Sequence, residues 1–262
     1  MYERKTEMKR HTLLLICVLT VMGWSSSWAQ ENGDTWFERA NAAYNAGNYD
    51  SAMILYEKIL ALDMESMPLY YNMGNAYYKM REYPMAIYCY EKALKLDPSN
   101  EEVQTNLAIA NRAIVDKIEP MPQSFIVRWW QKARTWFSSD QWAWLSIVVF
   151  ALLLVSVFLF LRARKMGLRK LGFFAGWVFL LVFALSLIFA IQLKQLSLSQ
   201  DHANIMTPTV NVKSSPNETS IDLFVLHEGT KVDVLETVDG WNKIKIANGS
   251  VGWLSEDSMR CF

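Results

Sequence analysis

Three patterns of apolar and polar positions succeed one another along the chain. Between Trp36 and Leu96 apolar residues recur three and four apart, in two stripes per 34 residues, with breaks at Gly47-Asn48 and Arg81-Glu82. That spacing predicts amphipathic helices. A further helical stretch covers Glu101 to Val115. The second pattern is unbroken apolarity. Trp142 to Leu161 is a run of 20 residues without a charge, and Leu171 to Leu193 is another of 23. Each matches the roughly 20 residues that a helix needs to cross a bilayer. The third pattern starts at Ala203, where short β-rich runs alternate with turns. Val210 to Val212, Leu223 to Leu226, Lys231 to Val238, Trp241 to Ile246 and Val251 to Leu254 predict five strands closed into a small barrel over 203–262. Asp239-Gly240 and Asn248-Gly249 are hairpin signals between them.

The helical part is an internal repeat. Residues 33–66 and 67–100 align without a gap: Asn41/Asn75, Ala42/Ala76, Tyr44/Tyr78, Tyr49/Tyr83, Ala52/Ala86 and Tyr56/Tyr90 match, and so does Glu57-Lys58 with Glu91-Lys92. A strict period of this length means stacked helical hairpins. Ala40 or Gly74, with Ala52 or Ala86, lets the two helices of a hairpin approach closely. Pro98 stops the last helix.

The run Tyr70-Tyr71-Asn72-Met73-Gly74-Asn75-Ala76-Tyr77-Tyr78, followed by Ala86, Tyr90, Ala93 and Pro98, resembles the tetratricopeptide repeat. The first copy departs from that pattern at Met64, where the family has Pro. Glu101 to Val115 begins a third copy and is expected to act as a capping helix, making 33–119 a small α-solenoid of two repeats and a cap. The resemblance implies a groove, lined by the first helix of each hairpin, that holds extended peptides. By position that groove contains Phe37, Asn41, Tyr44, Tyr71, Asn72, Asn75, Tyr78 and Asn106. An Asn amide can bond both the N–H and the C=O of a peptide, and aromatic rings can pack its side chains. The competing reading is that these Tyr and Asn residues only stabilise helix packing. The cations with which some family members clamp a C-terminal carboxylate are missing, since their positions hold Phe37, Glu102 and Asn106.

Charge refines the picture. Lys and Arg balance Asp and Glu over the whole chain. By segment they stand 8 to 14 over 30–121, 9 to 1 over 122–194 and 5 to 9 over 195–262. The basic excess therefore lies in the most apolar stretch, which argues for a membrane protein with two acidic soluble parts and against nucleic-acid binding. Arg162, Arg164, Lys165, Arg169 and Lys170 fill the 162–170 loop between the two runs, marking it as cytoplasmic. Ser139-Asp140 is the expected N-cap of the first span, and Gly172-x-x-x-Gly176 permits close packing of one span on the other. Residues 122–138 mix Trp129, Trp130 and Trp136 with Arg128, Lys132 and Arg134, as in a helix lying at the membrane interface. At the N-terminus Arg4, Lys5, Lys9 and Arg10 precede the short apolar run Leu13 to Met22 and the small-x-small site Ser27-Trp28-Ala29. Residues 1–29 thus read as a secretory signal, with an uncleaved anchor as the alternative. Both soluble parts are then expected on the periplasmic side of a two-pass inner-membrane protein.

Asn211-Val212-Lys213-Ser214-Ser215-Pro216, Glu228-Gly229-Thr230-Lys231-Val232, Gly240-Trp241 and Gly252-Trp253-Leu254 resemble the bacterial SH3-like domain, a family that binds cell-wall peptides or protein partners. Trp241 and Trp253 are the candidate surface residues, with a place in the barrel core or rim as the competing reading. No His, Cys and carboxylate spacing fits a metal site, and no nucleophile elbow, phosphate loop or dinucleotide fingerprint is present. The expectation is a protein without catalytic residues, metal or cofactor. The fold class is a multi-domain α+β membrane protein.

The order of parts, with Asp222-Leu223-Phe224-Val225-Leu226-His227-Glu228-Gly229-Thr230-Lys231-Val232, resembles the BatE family of the Bacteroides aerotolerance operon. That resemblance implies an envelope complex linked to oxygen and stress tolerance, with von Willebrand A-domain membrane proteins and a MoxR-type ATPase as partners. Two functions compete: an inner-membrane adaptor for envelope proteins, and a peptidoglycan-binding tether acting through the SH3-like domain.

Overall fold

The structure is a computed structural model and describes residues 33–199 and 201–262. The export signal expected over 1–29 lies outside the described residues. Helix α1 spans residues 33–45, followed by α2 (Tyr49–Leu60), α3 (Met67–Lys79), α4 (Tyr83–Leu96) and α5 (Glu101–Ala110). The two hairpins share one core. Ala40, Ala52, Tyr56, Ala76, Ala86, Tyr90 and Ala93 are almost fully buried in it. The small residues have the reason their spacing suggested: a Cβ placed on Gly74 would lie 2.6 Å from the Tyr90 ring. Both first helices end in the same motif. Gly47 and Arg81, 34 residues apart, take left-handed φ values of 80° and 66°. The following amides, Asn48 and Glu82, bond back to the carbonyls of Ala43 and Tyr77. These are Schellman ends, a position that favours glycine. The capping helix is shorter than expected, ending at Ala110 rather than Val115, and the chain then turns toward the C-terminal sheet.

α6 (Phe125–Arg134) leads into α7 (Ser139–Arg162) and α8 (Met166–Leu198), which form an antiparallel hairpin. α7 is capped by Ser138, not by the expected Ser139-Asp140. The Ser138 hydroxyl accepts from the Gln141 N–H while the Gln141 side chain accepts from the Ser138 N–H, a reciprocal box. The basic loop is also tighter than expected. Only residues 163–165 lie outside the helices, and Arg169 and Lys170 belong to the first turns of α8. Gly172 is the point of closest approach. A Cβ there would lie 2.7 Å from the Phe160 backbone N and 2.8 Å from the Ser156 carbonyl. Gly172 thus serves the packing of the two helices on each other. Both helices are long and apolar enough to cross a membrane, and most of that apolar surface is unburied.

The C-terminal region is a seven-stranded antiparallel sheet, not a closed five-stranded barrel. Its strands are β1 (His202–Ile205), β2 (Thr209–Lys213), β3 (Asp222–His227), β4 (Lys231–Val238), β5 (Trp241–Lys245), β6 (Val251–Ser255) and β7 (Met259–Cys261). They run in the order β3-β2-β6-β5-β4-β1-β7, so β3 and β7 are edges. The two extra strands are short, and β1 mixes Ala203, Asn204 and Ile205 with no alternation to mark it. Both Asx-Gly turns form. Asp239 and Gly240 have φ of 48° and 77° between the paired Val238 and Trp241, as a type I′ turn requires. Leu226, Val212, Val232, Ile244, Ile246 and Leu254 fill the interior, and Ile118 from the segment after α5 packs against them.

The sheet sits on α4, the second helix of the second hairpin, and leaves the first-helix face of the solenoid open. Phe262 is 1% exposed and belongs to the repeat core, edge-on to Tyr88 at 6.0 Å. Arg260 lies over the Tyr88 ring at 4.8 Å, and Lys231 pairs with Glu91 at 2.7 Å. Asp116 ties the junction from the other side. Its carboxylate accepts from the His227 N–H at 2.8 Å and the Thr230 hydroxyl at 2.7 Å, with His227 Nδ1 at 2.8 Å. Burial alone would raise the Asp116 pKa, but the His227 and Thr230 hydrogen bonds outweigh it and hold the carboxyl below its ordinary value of 3.8.

Arg81→Gly should stabilise the protein by about 0.5–1 kcal/mol, read from chemical melts, because only the Arg side chain opposes the left-handed end that Gly47 adopts freely. Asp116→Asn should lower the melting temperature at neutral pH. Because the Asp116 pKa is depressed by folding, its contribution is present above pH about 4 and disappears as pH falls through the lower folded-state value. The melting curves of the two proteins should therefore converge in acid; a gap that persists there contradicts this assignment.

Candidate functional site

The first helices present the expected ladder. Phe37, Asn41 and Tyr44 stand at i, i+4 and i+7 on α1, and Tyr71, Asn75 and Tyr78 repeat that spacing on α3, so each set shares a helix face. A cleft of about 320 Å³ opens between α3 and α5, lined by Tyr44, Tyr71, Asn75, Tyr78, Lys79, Tyr90, Asn106 and Ile109. Five of the eight sequence-derived residues meet there. Phe37, Asn41 and Asn72 are not in the lining. Phe37 packs on Tyr56 at 6.1 Å, as Tyr71 does on Tyr90 at 6.3 Å one repeat later. Lys79, Tyr90 and Ile109 line it as well and were missed. Lys79 lies four residues after Asn75 and Ile109 three after Asn106, helical spacings that could have found them, whereas Tyr90 arrives from α4, outside a reading confined to first helices.

The Asn residues do not face a ligand with both halves of their amides. The Asn41 Oδ1 accepts from the Tyr56 hydroxyl at 2.7 Å and from Asn72 Nδ2 at 2.9 Å. One repeat on, the Asn75 Oδ1 accepts from the Tyr90 hydroxyl at 2.8 Å and from Asn106 Nδ2 at 3.0 Å. Asn106 Nδ2 also reaches the Tyr71 hydroxyl at 3.1 Å. Burial pushes the Tyr56 pKa up to about 12 and moves Tyr90 in the same direction. Both phenols therefore stay protonated as donors. The packing and peptide-binding readings of the ladder thus divide the amides atom by atom. The Oδ1 of Asn41 and Asn75 and the Nδ2 of Asn72 and Asn106 join the helices. Among the described residues, the Nδ2 of Asn41 and Asn75 and the Oδ1 of Asn72 and Asn106 bond nothing.

Of the cleft's rings, Tyr44 and Tyr78 are half-buried and packed on Tyr49 and Tyr83 at 5.3 and 5.5 Å. Burial, then the neighbouring Tyr49 and Tyr71, raises the Tyr44 pKa, so this hydroxyl is also neutral. Lys79 is exposed and is the single cation in the lining.

On the sheet, Trp241 and Trp253 are half-exposed, while the interior of their strands is formed by Asn242, Ile244, Gly252 and Leu254. The two rings therefore belong to the outer face and not to the core. Lys243, paired in register with Trp253, holds its ammonium 5.8 Å from that ring. Among the described residues no group of His, Cys, Asp and Glu is arranged to hold a metal ion. Cys89 is buried, which pushes its thiol up to about 12.

Asn75→Ala should destabilise the protein by about 1–3 kcal/mol, because the Tyr90 hydroxyl and the Asn106 amide lose their shared acceptor in a desolvated place. Trp241→Ala, which empties an outer-face position, should cost less than Asn75→Ala. Paired denaturation curves check both, and the reverse order would contradict the placement of these two residues.

Comparison with known families gives two kinds of match. Residues 33–66 and 68–100 each match the tetratricopeptide repeat. Residues 208–259 match the bacterial SH3 domain. No curated protein matches the chain significantly. Modules of both kinds serve binding, and the chain carries them side by side with two helices of membrane-spanning length.

Proposed function

We propose that this chain is a non-enzymatic adaptor of the BatE type, anchored in the bacterial inner membrane by α7 and α8, with repeats and sheet on the periplasmic side. Its repeats hold an extended segment of an envelope protein. The partners expected from the resemblance are von Willebrand A-domain membrane proteins and the associated MoxR-type ATPase system, acting in aerotolerance and resistance to oxidative stress.

One observation carries the reading: the unpaired amide atoms of the Asn ladder. Asn75 leaves a donor and Asn106 an acceptor at a cleft of tyrosine rings. A peptide backbone needs a donor and an acceptor, and rings supply contact without selecting one side chain. The cleft stays open because the sheet seats on α4, away from it. A single Lys79, without a second cation, supports an internal segment as the occupant rather than a C-terminal carboxylate. Periplasmic placement is supported by the cations of 162–170, which by the positive-inside pattern belong in the cytoplasm and so put both ends of a two-helix hairpin outside. The tether reading finds its support in Trp241 and Trp253 on the outer face of the sheet.

Because Asn41 and Asn75 also join helices, they are poor probes of binding. Tyr44→Ala with Tyr78→Ala removes the open rings and leaves the Asn bonds in place. This double change should weaken capture of envelope partners about 10-fold, equivalent to about 1.4 kcal/mol, in co-purification from detergent extracts. Equal recovery of the same partners at the same salt dependence would refute the cleft. Retention of purified sacculi by wild type and its loss in Trp241→Ala with Trp253→Ala would favour the tether.

A further inference from the structure

α6 is amphipathic, and its apolar face has two parts with different fates. On a helical projection Phe125, Ile126, Trp129, Trp130 and Ala133 fall on one side, and Arg128, Gln131, Lys132 and Arg134 on the other. Trp130 and Ala133 are consumed by the hairpin. Trp130 packs edge-on to Phe189 at 4.8 Å and donates to Gln192 Oε1 at 3.3 Å, and Ala133 is 4% exposed. The Arg134 carbonyl accepts from Trp142 Nε1 at 3.0 Å, which ties the end of α6 to α7. Phe125, Ile126 and Trp129 are 73%, 73% and 55% exposed, with nothing among the described residues over them.

The depth of this contact is defined by the neighbouring helices. Phe189 and Gln192 lie in the last two turns of the uncharged run of α8, which stops at Lys194. α6 is therefore bolted to the level at which apolar hairpin gives way to charge. At that level stand Arg128, Lys132 and Lys194, and Asp140 is the single acid between residues 122 and 194. The far end of the hairpin carries its own cations, Arg162, Arg164, Lys165, Arg169 and Lys170. The spacing of the two basic belts, set by a 24-residue α7, is about 36 Å. That is the hydrocarbon core plus the start of the headgroups on each side.

Resting on the membrane reading above, we propose that α6 is a lipid-binding element. Its bare Phe125, Ile126 and Trp129 face enters the headgroup boundary, and Arg128 and Lys132 take the phosphates of anionic phospholipids there. A soluble protein partner would cover the apolar face but would leave a basic belt at bilayer depth unexplained. Lipid satisfies both, since an interfacial helix needs apolar area and anionic headgroups together. Because α6 is fixed to both spans and connects to the repeats, lipid capture also holds the peptide cleft close to the membrane.

The test uses the full chain in nanodiscs containing phosphatidylcholine and phosphatidylglycerol. Arg128→Gln with Lys132→Gln should reduce the preference for phosphatidylglycerol among lipids retained in native mass spectrometry about 30-fold, which is about 1 kcal/mol for each lost cation. Both side chains are exposed, so the fold and membrane retention should be unchanged. A photo-crosslinking benzoylphenylalanine at Ile126 should give phospholipid adducts. Equal lipid preference in wild type and variant, or an Ile126 probe without lipid adducts in a chain that resists alkaline extraction, overturns the proposal and leaves the membrane anchor standing. Release of the wild-type chain by alkaline extraction overturns both.

Discussion

Two side-chain oxygens, one in each repeat, hold the helical stack in register. Asn41 and Asn75 each gather a tyrosine hydroxyl from the second helix of their own hairpin and an asparagine amide from the next first helix. The bonds link three helices through one atom, and they recur with the 34-residue period. They operate where water is partly excluded, so an unmade bond would leave buried phenols unpaired. Much else follows from that arrangement. Gly74 must be bare because the Tyr90 ring that reaches Asn75 lies against it. The rings of Tyr44 and Tyr78 remain at the open face because the buried bonds are made by Tyr56 and Tyr90. The unused amide atoms at that face are a by-product of the same geometry.

The sheet adds a second constraint by closing the opposite side of α4. Phe262 enters the repeat core, and Lys231 and Arg260 reach Glu91 and Tyr88. Asn204, paired in register between Lys231 and Arg260, is fully buried, with both side-chain polar atoms unpaired among the described residues. Each of those two unpaired atoms costs about 1–3 kcal/mol of desolvation. The segment after α5 strengthens the junction with Ile114 against Gly229, Asp116 on His227 and Thr230, and Ile118 in the sheet interior. The repeats and sheet are therefore one packed body, and a ligand in the cleft and a partner on the outer sheet face would meet at fixed distance.

The hairpin imposes a third constraint through its bare surface. Among the described residues most of the apolar area of α7 and α8 has no protein over it, and Gly172 packs directly against the α7 backbone. Water is a poor neighbour for such a surface. Serine hydroxyls within it turn inward, as Ser146 and Ser186 donate to carbonyls three residues back. Lys95 of the repeats donates to the Ser199 carbonyl beyond α8, so the soluble body stands on the end of the hairpin.

How much of this was legible in the chain differs by feature, and for physical reasons. Period and composition determined the repeats, the two long apolar helices and both Asx-Gly hairpins, because each depends on residues close in sequence. The cleft's Tyr and Asn residues were also legible, since a 34-residue period places equivalent side chains on equivalent faces. Their use was not, because whether an amide oxygen serves a neighbouring helix or a ligand depends on which phenol arrives from the second helix. The barrel expectation failed for a similar reason. β1 is held by pairing with β4 and β7, and β7 by pairing with β1, and alternation within three or four residues cannot announce such strands. Trp241 and Trp253 likewise take their neighbours from strand register, which pairs Trp241 with Ser255 and Trp253 with Lys243. Tertiary structure alone decided that the sheet docks on α4. That contact joins Phe262 to Tyr88 and Lys231 to Glu91 across more than a hundred residues, where sequence spacing carries no information about distance in space.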